Sequence, residues 1–233
     1  MFESAGLDVL PLNLEIDHAI NNLKSWMKPT FTKLPAIAAP STSEIKYEPL
    51  GVVLIIAPFN YPIYLLLGPL LGAIVAGDCA VVKPSELTKS SEALMFKLIP
   101  QYLDTSCYEV VIGGISTTTS LLNQRWDKIF FTGSTRVGKV VLQAAAKHMT
   151  PVALELGGKS PTIIDSTVTD MELVVKRILW GKLINSGQVS ICDLSCECLL
   201  NLSYLPWSVL GLSVVLPLYT SPLPKSFQYF SHV

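Results

Sequence analysis

The chain has 233 residues, half of them hydrophobic, and its 17 basic and 18 acidic residues leave a net charge of −1. That length suits one large domain or two small ones, with enough apolar material for a sizeable core. Near-neutral charge, with no like-charge run longer than two residues, excludes nucleic acid and an anionic membrane surface as electrostatic partners. The five cysteines, odd in number and without framework spacing, favour a reducing compartment. The start of the chain shows neither a secretory nor a transit pattern, so a cytoplasmic location is expected.

In chain order, residues 15–27 predict a helix, with Ile16, Ala19, Ile20, Leu23, Trp26 and Met27 on one face and His18 off it, solvated. The Pro-rich 29–40 stretch reads as a linker or crossover. The nearly uncharged 49–82 stretch is broken by Pro58, Asn60, Pro62 and Pro69 and by several glycines. This punctuation predicts a buried strand (51–56), a turn and a buried helix (61–76) rather than a membrane span. There follow a strand over 79–82, a helix over 87–99 with Ser85 as N-cap, a strand over 108–112 closed by Gly113-Gly114, and a short helix over 117–123. A strand over 128–131, a helix over 137–147, strands over 152–155 and 162–164 and a helix over 171–184 complete the pattern. Cys79, inside an apolar run, reads as an inert core thiol.

From Val189 onward only Asp193, Glu197 and Lys225 are charged, and no periodicity continues the domain. This tail is expected to be poorly ordered. Its uncharged 198–224 stretch contains Pro206, Gly211 and Pro217, and a soluble segment and a membrane-associated one both stay open. Cys192-x3-Cys196-x-Cys198 lacks the Cys-x2-Cys spacing and a nearby histidine, so no metal site is expected.

Strands alternating with helices predict an α/β fold with a Rossmann-like, mainly parallel sheet and flanking helices. In such a sheet ligands bind outside the carboxyl ends of the strands. Asn60, Lys83, Gly113, Gly133 and Glu155 all fall at or just after predicted strand ends, so the topology gathers them on one edge. The turn Gly133-Ser134-Thr135-Arg136-Val137-Gly138-Lys139 joins a strand to a helix whose first amides suit a phosphate. It also spells the Gly-x4-Gly-Lys of a P-loop, but Val140 lacks the hydroxyl such a loop needs for Mg²⁺, and a purely structural turn is the plain alternative.

Glu155-Leu156-Gly157-Gly158-Lys159-Ser160-Pro161 resembles the glutamate signature of aldehyde dehydrogenases. The 131–138 turn resembles that family's Gly-x-Thr-x-x-Gly, Val81-Val82-Lys83-Pro84-Ser85-Glu86 its adenosine-ribose segment, and Pro58-Phe59-Asn60-Tyr61-Pro62 its Pro-Trp-Asn-Tyr-Pro. The resemblance runs from about Glu15 to Gln188 and is nearest to the class 3 subgroup, through 49–54, 101–104 and 144–148. It implies an N-terminal helix and linker over 1–48, an NAD(P)-binding domain over 49–160, the start of a catalytic domain over 161–188 and a non-family tail over 189–233.

The same resemblance implies NAD or NADP as cofactor and an aldehyde as substrate. Lys83 and Glu86 would take the ribose, and Gly133, Ser134, Gly138, Glu155, Leu156 and Gly157 would lie against the cofactor. Asn60 would donate to the oxyanion and Glu155 would activate the hydrolytic water. In the family a Gly-Gln-x-Cys segment supplies the nucleophilic thiol. Here Gly187-Gln188-Val189-Ser190 puts a serine in its place, with Cys192 two residues on as a substitute. The expectation is therefore a catalytically impaired fragment, with a non-enzymatic dinucleotide-binding or membrane- or partner-associating product as the alternative. The family's dimer is not carried over, because its subunit-pairing strand lies beyond the matched stretch.

Overall fold

The computed structural model describes residues 3–158, 160, 162–164, 168–190 and 196–198. It divides into two compact units, one ending at Gly157 and one beginning at Gly158. In the first, a helix α1 (Leu10–Trp26) extends a single wider turn over Ser4–Val9, with Pro11 in its first turn, where a missing N–H costs nothing. The ribbon β1 (Thr30–Thr32) and β2 (Ser43–Ile45) pairs antiparallel, Phe31 opposite Glu44. The expected linker thus contains a strand that alternation could not reveal, since all its residues are exposed.

The remaining elements of this unit are β3 (Val52–Ile56), α2 (Tyr64–Ala76), β4 (Cys79–Lys83), α3 (Lys89–Tyr102), β5 (Tyr108–Val110), α4 (Ile115–Leu122), β6 (Lys128–Gly133), α5 (Thr135–Ala146) and β7 (Val152–Leu156). The five strands β3–β7 form one parallel sheet in the order β5-β4-β3-β6-β7. The expected α/β architecture is present, and residues 49–82 are strand, helix and strand. No helix among the described residues is long and apolar enough to cross a membrane, and the 198–224 segment lies outside them apart from Cys198.

Strand alternation explains the two cores. Val53 and Ile55, with Ala80, Val82 and Val110, face Leu66, Leu70 and Ala73 of α2 and Met95 and Ile99 of α3. Leu54 and Ile56, with Ile129 and Phe131, face Leu122 of α4 and Val141 and Ala145 of α5. Both faces of the sheet are covered, so its strands read as near-continuous apolar runs. At the amino edge, Gly51 N–H donates to Asp78 Oδ1 (2.9 Å) and Val52 N–H to Asp127 Oδ2 (2.8 Å). Gly51 has φ +126°, and a Cβ there would overlap the Asp127 carboxylate, so glycine is required at the entry to β3.

Three local expectations are corrected. The buried face of α1 is Leu12 and Ala19, while Ile20 and Met27 are 70% and 74% exposed, because only the side toward α2 meets the core. Ser85 does not cap α3: the helix begins after Thr88, and Ser85 Oγ accepts from Leu87 N–H (3.3 Å) within the preceding turn. Cys79 is half-buried, beside Cys107, rather than sealed in the core.

In the second unit, β8 (Thr162–Ile164) pairs parallel with β9 (Cys196–Cys198), a strand absent from the sequence reading. Helix α6 (Met171–Leu183) is capped by Asp170, whose Oδ1 accepts from Leu173 N–H at 2.9 Å.

Candidate functional site at the carboxyl edge of the sheet

From β3 the chain winds outward through β4 to β5, then returns to the other side of β3 for β6 and β7. The order reverses between β3 and β6, and the crevice outside their carboxyl ends is the place where open α/β sheets take ligands. The strand ends are flush there: Ile56 lies opposite both Lys83 and Phe131, and Thr132 and Gly133 lie opposite Glu155 and Leu156.

Asn60, Lys83, Gly113, Gly133 and Glu155 sit at or just after the carboxyl ends of these strands. Asn60 is half-buried in the turn between β3 and α2, and Ala57 N–H donates to Lys83 O (3.0 Å), holding that turn beside β4. Lys83, the last residue of β4, is 2% exposed. Its ammonium donates to Glu86 Oε2 (2.8 Å) and to Pro84 O (2.9 Å). The hydrogen bond from Lys83 holds the Glu86 carboxyl below its usual range, against a smaller opposing effect of burial. Glu86 keeps 42% of its side chain exposed, so a carboxylate anchored by a buried cation is presented at the edge.

Across the reversal, Ser134 caps α5 and its Oγ accepts from Val137 N–H (3.3 Å). The helix begins at Thr135, so Gly138 and Lys139 lie inside it and not in a phosphate-cradling loop, which removes the P-loop alternative. A Cβ at Gly133 would stand 2.7 Å from Phe131 Cζ, and one at Gly138 would stand 2.8 Å from Leu156 Cδ2. These glycines let α5 and the turn approach β6 and β7 closely. Glu155 and Gly157 are exposed at the end of β7.

Sequence reasoning overlooked three groups. Thr132 Oγ1, at the carboxyl end of β6, is buried and has no hydrogen-bond partner among the described residues, a group whose cost a ligand or further protein would relieve. Glu92 Oε1 accepts from Gly113 N–H (3.1 Å) and so ties α3 to the loop after β5. Asp8, 6% exposed, accepts from Tyr64 N–H (2.6 Å) and Ile63 N–H (3.4 Å), capping α2 from a distant segment. Thr132 stands inside a quoted motif, but only burial distinguishes it.

The edge combines a fixed carboxylate, an unpaired buried hydroxyl and a capped helix start beside close backbone, a set able to hold a hydroxyl-rich anionic ligand. Ser190 belongs to the second unit, is exposed, and follows a turn in which Asn185, Ser186 and Gly187 have φ of 50°, 56° and 75°. Cys192 lies outside the described residues.

The aldehyde dehydrogenase family model matches residues 6–194, starting before Glu15 and running past Gln188. The chain is 50% identical over 190 residues to aldehyde dehydrogenase family 3 member H1 of Arabidopsis thaliana, covering 81% of this chain and 39% of that protein. Among solved structures it is similar to Staphylococcus aureus AldH in its substrate-bound state, with 42% identity and a TM-score of 0.80 over 84% of this chain and 43% of the other. It is also similar to a Mycobacterium tuberculosis aldehyde dehydrogenase complexed with NAD+, with 26% identity and a TM-score of 0.71 over 82% and 39%. The chain therefore spans about two-fifths of the proteins it matches. A reversed five-stranded sheet with these loops at its carboxyl edge, and a family match across most of the sequence, make this chain a member of the aldehyde dehydrogenase family.

Proposed function

We propose that this chain carries the dinucleotide-binding part of an aldehyde dehydrogenase and binds NAD or NADP without oxidising aldehydes itself. The observation that supports it is the coincidence of the strand-order reversal with the preset Lys83–Glu86 pair on the neighbouring strand. Glu86, held by Lys83, would accept from the ribose hydroxyls. Gly133, Ser134 and Gly138 would let the first amides of α5 hold the pyrophosphate. Thr132 Oγ1 would gain a partner, and Leu156 and Gly157 would lie against the cofactor. The bound dinucleotide supplies a hydride acceptor.

Asn60 is the side-chain donor toward a substrate carbonyl oxygen, and Glu155 is the base for a hydrolytic water. Attack on the carbonyl needs an ionisable nucleophile. A thiol titrates near 8.5 (roughly, in a free cysteine), whereas the Ser190 hydroxyl has no comparable anion at neutral pH. Cys192, two residues on, is the nearest substitute in sequence, and a displacement of about 1 Å already costs much of a rate.

Titration of the full chain with NAD+ and with NADP+ should give a saturable change in intrinsic fluorescence, and hexanal or benzaldehyde should then yield no reduced dinucleotide. A flat titration overturns the binding. Turnover that Cys192→Ala abolishes overturns the impairment. No subunit pairing is proposed. For the 198–224 segment, sedimentation with lipid vesicles against a chain ending at Gln188 decides membrane association, and equal behaviour of the two discards it.

A further inference from the structure

The amino ends of β4 and β5 bring together two cysteines that no step above uses. Ala80 is opposite Tyr108 in the parallel register, which places Cys79 opposite Cys107 one residue earlier. Ala80 N–H donates to Cys107 O (2.9 Å), so the pairing extends to that position. Ala80, Val82, Tyr108 and Val110 all face the α2–α3 core, so alternation turns Cys79 and Cys107 together onto the opposite face. Neighbouring strands lie about 4.8 Å apart, inside the window of about 4.4–6.8 Å between Cα atoms that a disulfide spans. Both thiols are free and half-buried, so a small reagent reaches them.

We infer that Cys79 and Cys107 are a reversible thiol–disulfide pair that fastens the edge strand β5 to β4. This rests on the strand pairing alone and is independent of the dinucleotide reading. The neighbouring Cys107 thiol, burial and the carboxylates of Asp78 and Asp104 push the Cys79 thiol up from its ordinary value. The two thiols share one face and similar exposure, so either can react first. With a small-molecule disulfide such as oxidised glutathione, the thiolate of one cysteine, Cys107 for instance, attacks one sulfur and expels glutathione thiolate. Cys79 then loses its proton and attacks the Cys107 sulfur, releasing the second glutathione. One glutathione disulfide is reduced to two thiols, and two cysteine thiols become one disulfide. Strand β5 is three residues long at the rim of the sheet, the element most prone to open, and the bond closes it at the end away from the ligand edge.

The full chain is equilibrated with oxidised and reduced glutathione at rising ratios, alkylated, digested without reduction and mapped by mass. The expected product is the Cys79 peptide linked to the Cys107 peptide, reversed by dithiothreitol, with exchange of the Val111 amide (bonded to Val82 O) slowed about tenfold in the oxidised form. A triple variant, Cys192→Ser with Cys196→Ser and Cys198→Ser, should give the same linkage at the same ratio. A lasting glutathione adduct on either cysteine, both cysteines alkylated throughout, or loss of the linkage in the triple variant overturns the inference.

Discussion

At the scale of single residues, Lys83 is the position on which most depends. A lysine ammonium buried to 2% exposure needs the hydrogen bonds it donates to Glu86 and to the Pro84 carbonyl. Glu86 is partly solvated, so the pair contributes little to stability and its value lies in placement. Because the folded-state carboxyl titrates below its ordinary value of 4.5, its small stabilisation is present above that pH and is lost as pH falls through the lowered midpoint. In Lys83→Met, an NMR titration should show the Glu86 midpoint rising, and dinucleotide affinity should fall at least about tenfold, roughly 1.4 kcal/mol. An unchanged Glu86 midpoint would refute the role of Lys83. Tyr64 offers a second test: its hydroxyl donates to Glu15, which pushes its pKa up to about 12. Glu15→Gln should bring the optical titration of Tyr64 back toward its ordinary value.

At the scale of elements, caps and glycines decide where helices start and how closely they lie. Helix α2 has no capping side chain at its own N-cap residue, Ile63; Asp8 serves instead from the turn before α1. Burial raises the Asp8 carboxyl above its ordinary value, outweighing the two backbone amides that lower it. The sign follows: the raised folded value favours the folded state most below an ordinary pH of about 4, and this advantage is lost as pH rises through the folded midpoint. Asp8→Asn keeps an acceptor for Tyr64 N–H but cannot ionise. The wild type should therefore lose stability relative to it between pH 4 and pH 7 (about that range) in urea unfolding, and parallel pH profiles would refute the assignment. Gly138→Ala sets a helix-propensity gain of about 1 kcal/mol against overpacking of about 1–3 kcal/mol on Leu156. A net loss of about 1 kcal/mol is expected, relieved when Leu156→Ala is added. Apolar runs and glycine punctuation made every strand of the sheet legible, because strands covered on both faces are mostly apolar along their length. Helix starts were less legible. Asp8 and Ser85 are polar residues whose partners are set by where a distant or irregular segment passes, and no local spacing encodes that.

At the scale of the molecule, the first unit carries its own two-faced core and every proposed cofactor residue, whereas Ser190 belongs to the second. A chain of residues 1–157 should accordingly unfold cooperatively in urea and keep the fluorescence response to dinucleotide; a non-cooperative transition would show that the sheet depends on the rest. By itself, the sequence determined the alternation of strand and helix, the family, and the residue types at each strand end, because apolar periodicity and short motifs are properties of contiguous chain. Only the tertiary structure decided which strands are neighbours. That order makes β3 and β6 the two sides of one crevice, leaves Thr132 Oγ1 buried without a partner among the described residues, joins Asp8 to α2 and sets Cys79 against Cys107. The crevice, the Asp8 cap and the cysteine pair all join residues far apart in the chain, and such pairings follow from how both sheet faces are covered at once.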